Sequence, residues 1–118
     1  MPNKNKDLLY LRFLNFLDAL GGGGGKDFPL LDPHEEILLN KIMLLWSEDL
    51  IYTVGELILL KEIASPATIH VRLKKLRAKG YLETLEEEDS RIKKIVPSKL
   101  ALRRYQLISN QFYSLINH

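Results

Sequence analysis

Five stretches of the chain repeat apolar residues at intervals of three and four, the spacing of one helix face. In residues 66–79, Ile69, Leu73 and Leu76 fall on one side. In residues 99–116 the stripe is Ala101, Tyr105, Ile108, Phe112 and Leu115. Ile37, Leu38, Met43 and Leu45 are core candidates of a helix running to about Trp46, and a shorter helix is predicted over residues 54–61. Residues 7–20 differ. Leu9, Tyr10, Phe13, Leu14, Phe16, Leu17 and Leu20 cover well over half of that helix's circumference. A helix lying on one small core needs only a stripe, so this wide face predicts burial on two sides, against its own core and a partner chain. The short stretches YLETL and RIKKIV read as strands around EEEDS, forming a hairpin, and LIYT reads as a short β-like segment.

Local chemistry marks where the helices begin and end. Asp32 is suited to cap, Pro33 fits the first helical position, and Glu35 and Glu36 favour the positive end of the helix dipole. Thr53 and Glu56 have capping-box spacing, Ser65 with Pro66 opens the next helix, and Ser98 caps the last. Gly80 supplies a left-handed stop. The run GGGGG at residues 21–25 ends the first helix, because each glycine costs roughly 1 kcal/mol relative to alanine. Its reach is on the order of 12 Å. It is read as a passive loop, native or engineered, with a hinge beside an oligomerisation helix as the alternative.

The resulting order is helix, gap, helix, short strand, helix, helix, hairpin, helix. Two helices with a short connection, followed directly by a hairpin, make a winged helix-turn-helix. The predicted fold class is mainly α with a small β-hairpin (α+β), with N- and C-terminal dimerisation helices. The expected organisation is a dimerisation helix over residues 1–20, a Gly-rich link over 21–31, a DNA-binding winged helix over 32–97, and a second dimerisation helix over 98–118.

Composition bounds this picture. A chain of 118 residues, 46% hydrophobic and 27% charged, suits one domain with a modest core. The absence of cysteine excludes disulfides, cysteine-based zinc sites and thiol redox sensing. Arg12, Asn15 and Asp18 interrupt the apolar run near the start, and no A-x-A pattern follows, so neither a signal peptide nor a membrane span is expected. The expected location is cytoplasmic.

Net charge is only +2, but its distribution is uneven. SPATIHVRLKKLRAKGY holds Arg72, Lys74, Lys75, Arg77 and Lys79 and no acid. On this helix Ala67, Val71, Lys74, Lys75 and Ala78 lie opposite the apolar stripe, with Thr68 and His70 on the flanks. Small side chains at the N-terminal end let a helix approach base edges, and Ala or Val touches a thymine methyl. Thr68 and His70 are suited to hydrogen-bond bases, while Lys74, Lys75 and Arg77 fit phosphates. Arg91, Lys93 and Lys94 fall where a wing meets the backbone or minor groove. The candidate DNA-contacting set is therefore Ser65, Ala67, Thr68, His70, Val71, Arg72, Lys74, Lys75, Arg77, Arg91, Lys93 and Lys94. Against this stands the plain reading of a solvated, dipole-compensating face. Glu86, Glu87 and Glu88 repel phosphates, so the wing tip is expected to stay out of the groove.

From about residue 28 to residue 101 the chain resembles the MarR family of winged-helix transcription regulators. The resemblance is carried by TVGEL, by SPATIHVRLKKLRAKGYL, and by the D-x-R of Asp89 and Arg91 in the wing. It implies that Asp89 and Arg91 hold the wing's shape and that Arg91 enters the minor groove. It also implies a homodimer, here through Leu9, Tyr10, Phe13, Leu17, Tyr105, Ile108, Phe112 and Leu115. Departures are Pro97 and Ser98 where the family has Leu-Thr, Ala101 in place of a later Gly, Val71 where Arg is common, and one C-terminal helix instead of two. Family members often bind small aromatic acids or phenols, which makes Tyr10, Phe13, Trp46, Tyr105 and Phe112 candidates to line an effector site; core and dimer packing is the other role for them. The expected function is sequence-specific binding of double-stranded DNA by a homodimeric regulator, a repressor. The alternatives are a protein-docking winged helix and a plasmid or phage replication or copy-control protein. No enzyme, cofactor or metal site is expected, since His34, His70 and His118 are scattered and the glycine run lacks the Lys-Ser/Thr of a phosphate loop.

Overall fold

Leu39, Leu76, Tyr81 and Ala101 have no solvent exposure and mark the middle of the core. They come from different elements of a computed structural model that describes residues 3, 6–20, 27–85 and 93–117. The pentaglycine, Glu86, Glu87, Glu88, Asp89, Arg91 and His118 lie outside the described residues. The order is α1 (Leu9–Leu20), α2 (Pro33–Ser47), α3 (Val54–Leu57), α4 (Pro66–Ala78), β1 (Leu82–Leu85), β2 (Lys94–Pro97) and α5 (Lys99–Ile116). The molecule is mainly helical with one antiparallel hairpin, a winged helix.

The helix starts follow the local chemistry. Asp32 and Thr53 each form a complete capping box, with Glu35 and Glu56 returning the bond. Ser65 and Ser98 accept from Thr68 N and Ala101 N. Each cap satisfies amide donors that the first turn leaves unpaired. Gly80 ends α4 with φ +85°, a left-handed conformation that costs a side chain strain.

Two expectations need correction. Over residues 54–61 the helix stops at Leu57, and tight i to i+3 bonds follow, such as Leu60 N to Leu57 O and Ile63 N to Leu60 O. Three residues per turn keep Leu57, Leu60 and Ile63 on one side, where Leu57 is buried and the other two pack on the core. On α2, Ile37 is 51% exposed, while Leu38, Leu39, Ile42 and Leu45 form the buried face. Ile37 is one residue off that stripe, and one residue is about 100° of rotation.

The hairpin pairs Leu82 with Pro97 and Leu85 with Lys94. Residues 50–53 supply a third edge: Thr53 bridges Lys94, and Ile95 N donates to Tyr52 O at 2.9 Å. The LIYT segment is thus strand-like through the wing it supports. Buried hydrophobic residues run from Leu31 to Ala101. α1 has no buried residue and packs on α5 through Phe13 and Phe16 against Phe112. No helix among the described residues is long and apolar enough to cross a membrane.

Candidate nucleic-acid interface

α4 has two unlike faces. Ile69, Leu73 and Leu76 are sealed in the core. Ala67, His70, Val71, Lys74, Lys75, Arg77 and Ala78 are exposed on the other side, and Ser65 is exposed at the cap. Thr68 is half-buried and leans toward α2, beside His34 and Ile37. Its hydroxyl accepts a bond from Ser65 Oγ at 2.9 Å. The inward face therefore coincides with the predicted stripe, and the outward face begins small and ends basic.

The helix is anchored at its end as well. Tyr81 N donates to Leu76 O at 3.0 Å, and Ser98 Oγ donates to Gly80 O at 2.5 Å. Ser98 N in turn donates to Tyr81 O at 2.9 Å. One serine thus caps α5 and ties down the end of α4, so the wing strands emerge from a fixed corner. Lys93 is exposed at the start of the returning strand and Lys94 is half-buried on it.

The five bases of this stretch divide into two groups. Lys74, Lys75 and Arg77 project outward. Arg72 instead turns to α2, where its Nη1 meets Asp32 Oδ2 at 2.9 Å. Lys79 Nζ donates to Glu35 Oε1 and to Leu30 O, both at 2.7 Å. Glu35 is only 1% exposed, although it sits in the first turn of a helix. Asp32 is held below the usual carboxylate range, chiefly by the Glu35 amide, with help from Arg72. Burial pushes the Tyr81 phenol up, and its hydroxyl donates to Pro29 O. The cap carboxylate Asp32 and the first-turn Glu35 of α2 thus receive Arg72 and Lys79, the two inward bases of this stretch. No local pattern signals these pairs, because the partners lie 40 and 44 residues apart.

The candidate effector aromatics do not converge. Tyr10, Phe13 and Phe112 line an open apolar groove of about 370 Å³ between α1 and α5, together with Leu9, Leu115 and Ile116. Trp46 is on α2, and the Tyr105 hydroxyl donates to Asn40 of the same helix. Among the described residues no three of His, Cys, Asp and Glu gather as metal ligands would.

No family model matches the chain, and no curated protein matches it in sequence. Solved structures do match in fold. A MarR-like transcriptional regulator from Thermotoga maritima superposes with a TM-score of 0.64 at 12% identity, covering 99% of this chain and 80% of that one. A MarR family protein from Bacillus stearothermophilus gives 0.55 at 18% identity, over 99% and 81%. A variant of ZitR from Lactococcus lactis in complex with DNA gives 0.51 at 15% identity, over 98% and 80%. With nearly the whole chain superposed on such proteins, and a helix-turn-helix and hairpin between flanking helices in this chain, the fold is that of the MarR-like winged-helix regulators.

Proposed function

We propose that this chain is a transcription regulator that binds double-stranded DNA sequence-specifically as a homodimer and acts as a repressor. Residues 65–79 enter the major groove, and the wing, residues 81–97, lies on the backbone or minor groove. The observation that carries this reading is the division of α4: one face is locked in the core, and the other presents Lys74, Lys75 and Arg77 with no ion-pair partner among the described residues. A helix fixed from behind, small at its leading end and basic beyond, suits a groove whose floor is read by close approach and whose walls are phosphate. Ser65, Ala67, His70 and Val71 then face bases, while Thr68, turned toward α2, supports the helix start instead. Lys93 and Lys94 extend the positive surface from the wing. The DNA complex of the ZitR variant supports this reading by analogy of fold.

The homodimer is formed by the α1–α5 pair, where Leu9, Tyr10, Phe13, Leu17, Ile108, Phe112 and Leu115 meet the partner; Tyr105, expected among them, instead turns its hydroxyl to Asn40 of α2. A small aromatic effector in the groove beside Phe112 would act on the same surface. Binding of a labelled duplex, including the region upstream of the protein's own gene, tests the proposal by anisotropy across a salt series. Site-selective binding is the expected result, with log affinity falling by about 0.9 per phosphate contact for each tenfold rise in salt. Absence of binding at low salt would overturn it and leave the outer face of α4 as a protein-docking surface.

A further inference from the structure

The recognition helix is held from behind by a clamp that its own sequence does not announce. Asp32 and Glu35 form the capping box of α2: Asp32 Oδ1 accepts from Glu35 N at 2.7 Å, and Glu35 Oε1 accepts from Asp32 N at 3.0 Å. The cap fixes both carboxyl groups before any other element is considered. Each then reaches α4. Asp32 Oδ2 takes Arg72 and Glu35 Oε1 takes Lys79. These two bases are seven residues apart, about 10 Å along the helix. One attachment would leave a helix free to swivel about it; two attachments, about two turns apart, fix its rotation and its tilt. Leu30 O, which also accepts from Lys79 Nζ, adds a third point. Arg72 is committed inward as well, since its Nε is shielded from solvent and the side chain is 22% exposed.

We infer that Asp32 and Glu35 are positioning residues for DNA recognition, acting through Arg72 and Lys79 to set the angle at which the outer face of α4 meets the groove. Arg72 and Lys79 are then part of the clamp and make no phosphate contact. This inference rests on the DNA-binding reading above. It divides the bases of α4 by role: Lys74, Lys75 and Arg77 supply sequence-independent attraction, and Arg72 and Lys79 supply geometry. Base readout depends on angle more steeply than attraction to phosphates does, because hydrogen bonds to base edges weaken quickly with misalignment.

The test uses the full chain and two probes: a duplex selected by the wild-type protein from a randomised pool, and a duplex of scrambled sequence. The variants are Arg72→Gln, Lys79→Met, Glu35→Gln and Lys75→Ala. Arg72→Gln, Lys79→Met and Glu35→Gln should each lower affinity for the selected duplex by about tenfold and for the scrambled duplex by less than about twofold. Their salt slopes should match wild type. Lys75→Ala should weaken both duplexes alike and reduce the slope by about 0.9. The pair Glu35→Gln with Lys79→Met should lose clearly less than the sum of the two single changes, because both abolish the same ion pair. A slope reduced by about 0.9 in Arg72→Gln or Lys79→Met would overturn the inference, since those bases would then be phosphate contacts. So would a parallel loss on both duplexes that follows a fall in thermal midpoint, which is the mark of simple destabilisation, and so would wild-type affinity in all three clamp variants. Failure of the DNA-binding reading is separately visible, because wild type would then select no duplex.

Discussion

The winged-helix lobe and the α1–α5 pair are both rich in apolar residues, yet they use them in opposite ways. In the lobe, Leu38, Leu39, Leu57, Ile69, Leu76 and Tyr81 are fully enclosed. In α1, Tyr10 is 66% exposed and Leu17 46%, and no residue of that helix is buried. α5 belongs to both regions: Ala101 and Arg104 are sealed in its first turns, while Phe112, Tyr113 and Ile116 are exposed at its far end. The contrast shows that apolar content does not locate a core. A stripe that matches the neighbouring element is buried within the chain; a face wider than its neighbour is left over. Full burial of a Leu or Phe side chain is worth about 1.5–3 kcal/mol, so the exposed apolar face of α1 and α5 is what the proposed homodimer would bury.

The sharpest way to break this comparison is to delete the same chemistry in both regions. Leu76→Ala should lower unfolding stability by about 3 kcal/mol, because the cavity lies where no element can collapse into it. Leu17→Ala, measured in the same urea titration at a concentration where the chain is monomeric, should cost less than about 1 kcal/mol. Equal losses would mean that α1 is part of the core.

Association should respond the other way. Phe13→Asp places a charge beside Phe112, in the groove between α1 and α5. It should weaken self-association by about 2 kcal/mol, read as a shift of the dissociation constant in sedimentation equilibrium, with the lobe's unfolding midpoint unchanged. Ser98→Ala probes the seam between the regions. It removes the α5 cap and the bond to Gly80 O together, and should cost about 1.5 kcal/mol in thermal unfolding.

The smallest effect concerns Tyr105, at the border of the two regions. Burial foremost pushes its phenol up to about 12, against the opposing pull of Arg104. The neutral phenol is favoured in the folded chain. Its contribution is therefore complete below the unfolded value of about 10 and is lost as pH rises through the folded value. The midpoint of wild type should fall more steeply across that alkaline window than that of Tyr105→Phe. Asp32 has the opposite sign. Its contribution is present above about pH 4 and is lost as pH falls through its lowered value.

Much of the architecture was legible because its causes are local. Asp32, Thr53, Ser65 and Ser98 were each readable as caps, and each one caps. Gly80 was readable as a stop, and it adopts the left-handed conformation. The inward stripe of α4 followed from period alone. Residues 58–61 read as helix, but past Leu57 the chain tightens so that Leu60 and Ile63 reach a core that the local pattern does not describe. Ile37 was misread for a related reason: periodicity finds apolar positions, but the neighbouring helices choose which of them is covered.

Glu35 and Arg104 mark the boundary of what a sequence tells. A glutamate in a first turn and an arginine in an amphipathic helix both read as solvent-facing, yet they are 1% and 2% exposed. The sequence by itself determined where the helices begin and end and which side of α4 turns inward, since hydrogen bonds across three or four residues and a 3.6-residue period are local properties. Only the tertiary structure decided which bases of α4 remain free, because the acids that hold Arg72 and Lys79 arrive from 40 and 44 residues away and reach them only once α2 has packed against α4.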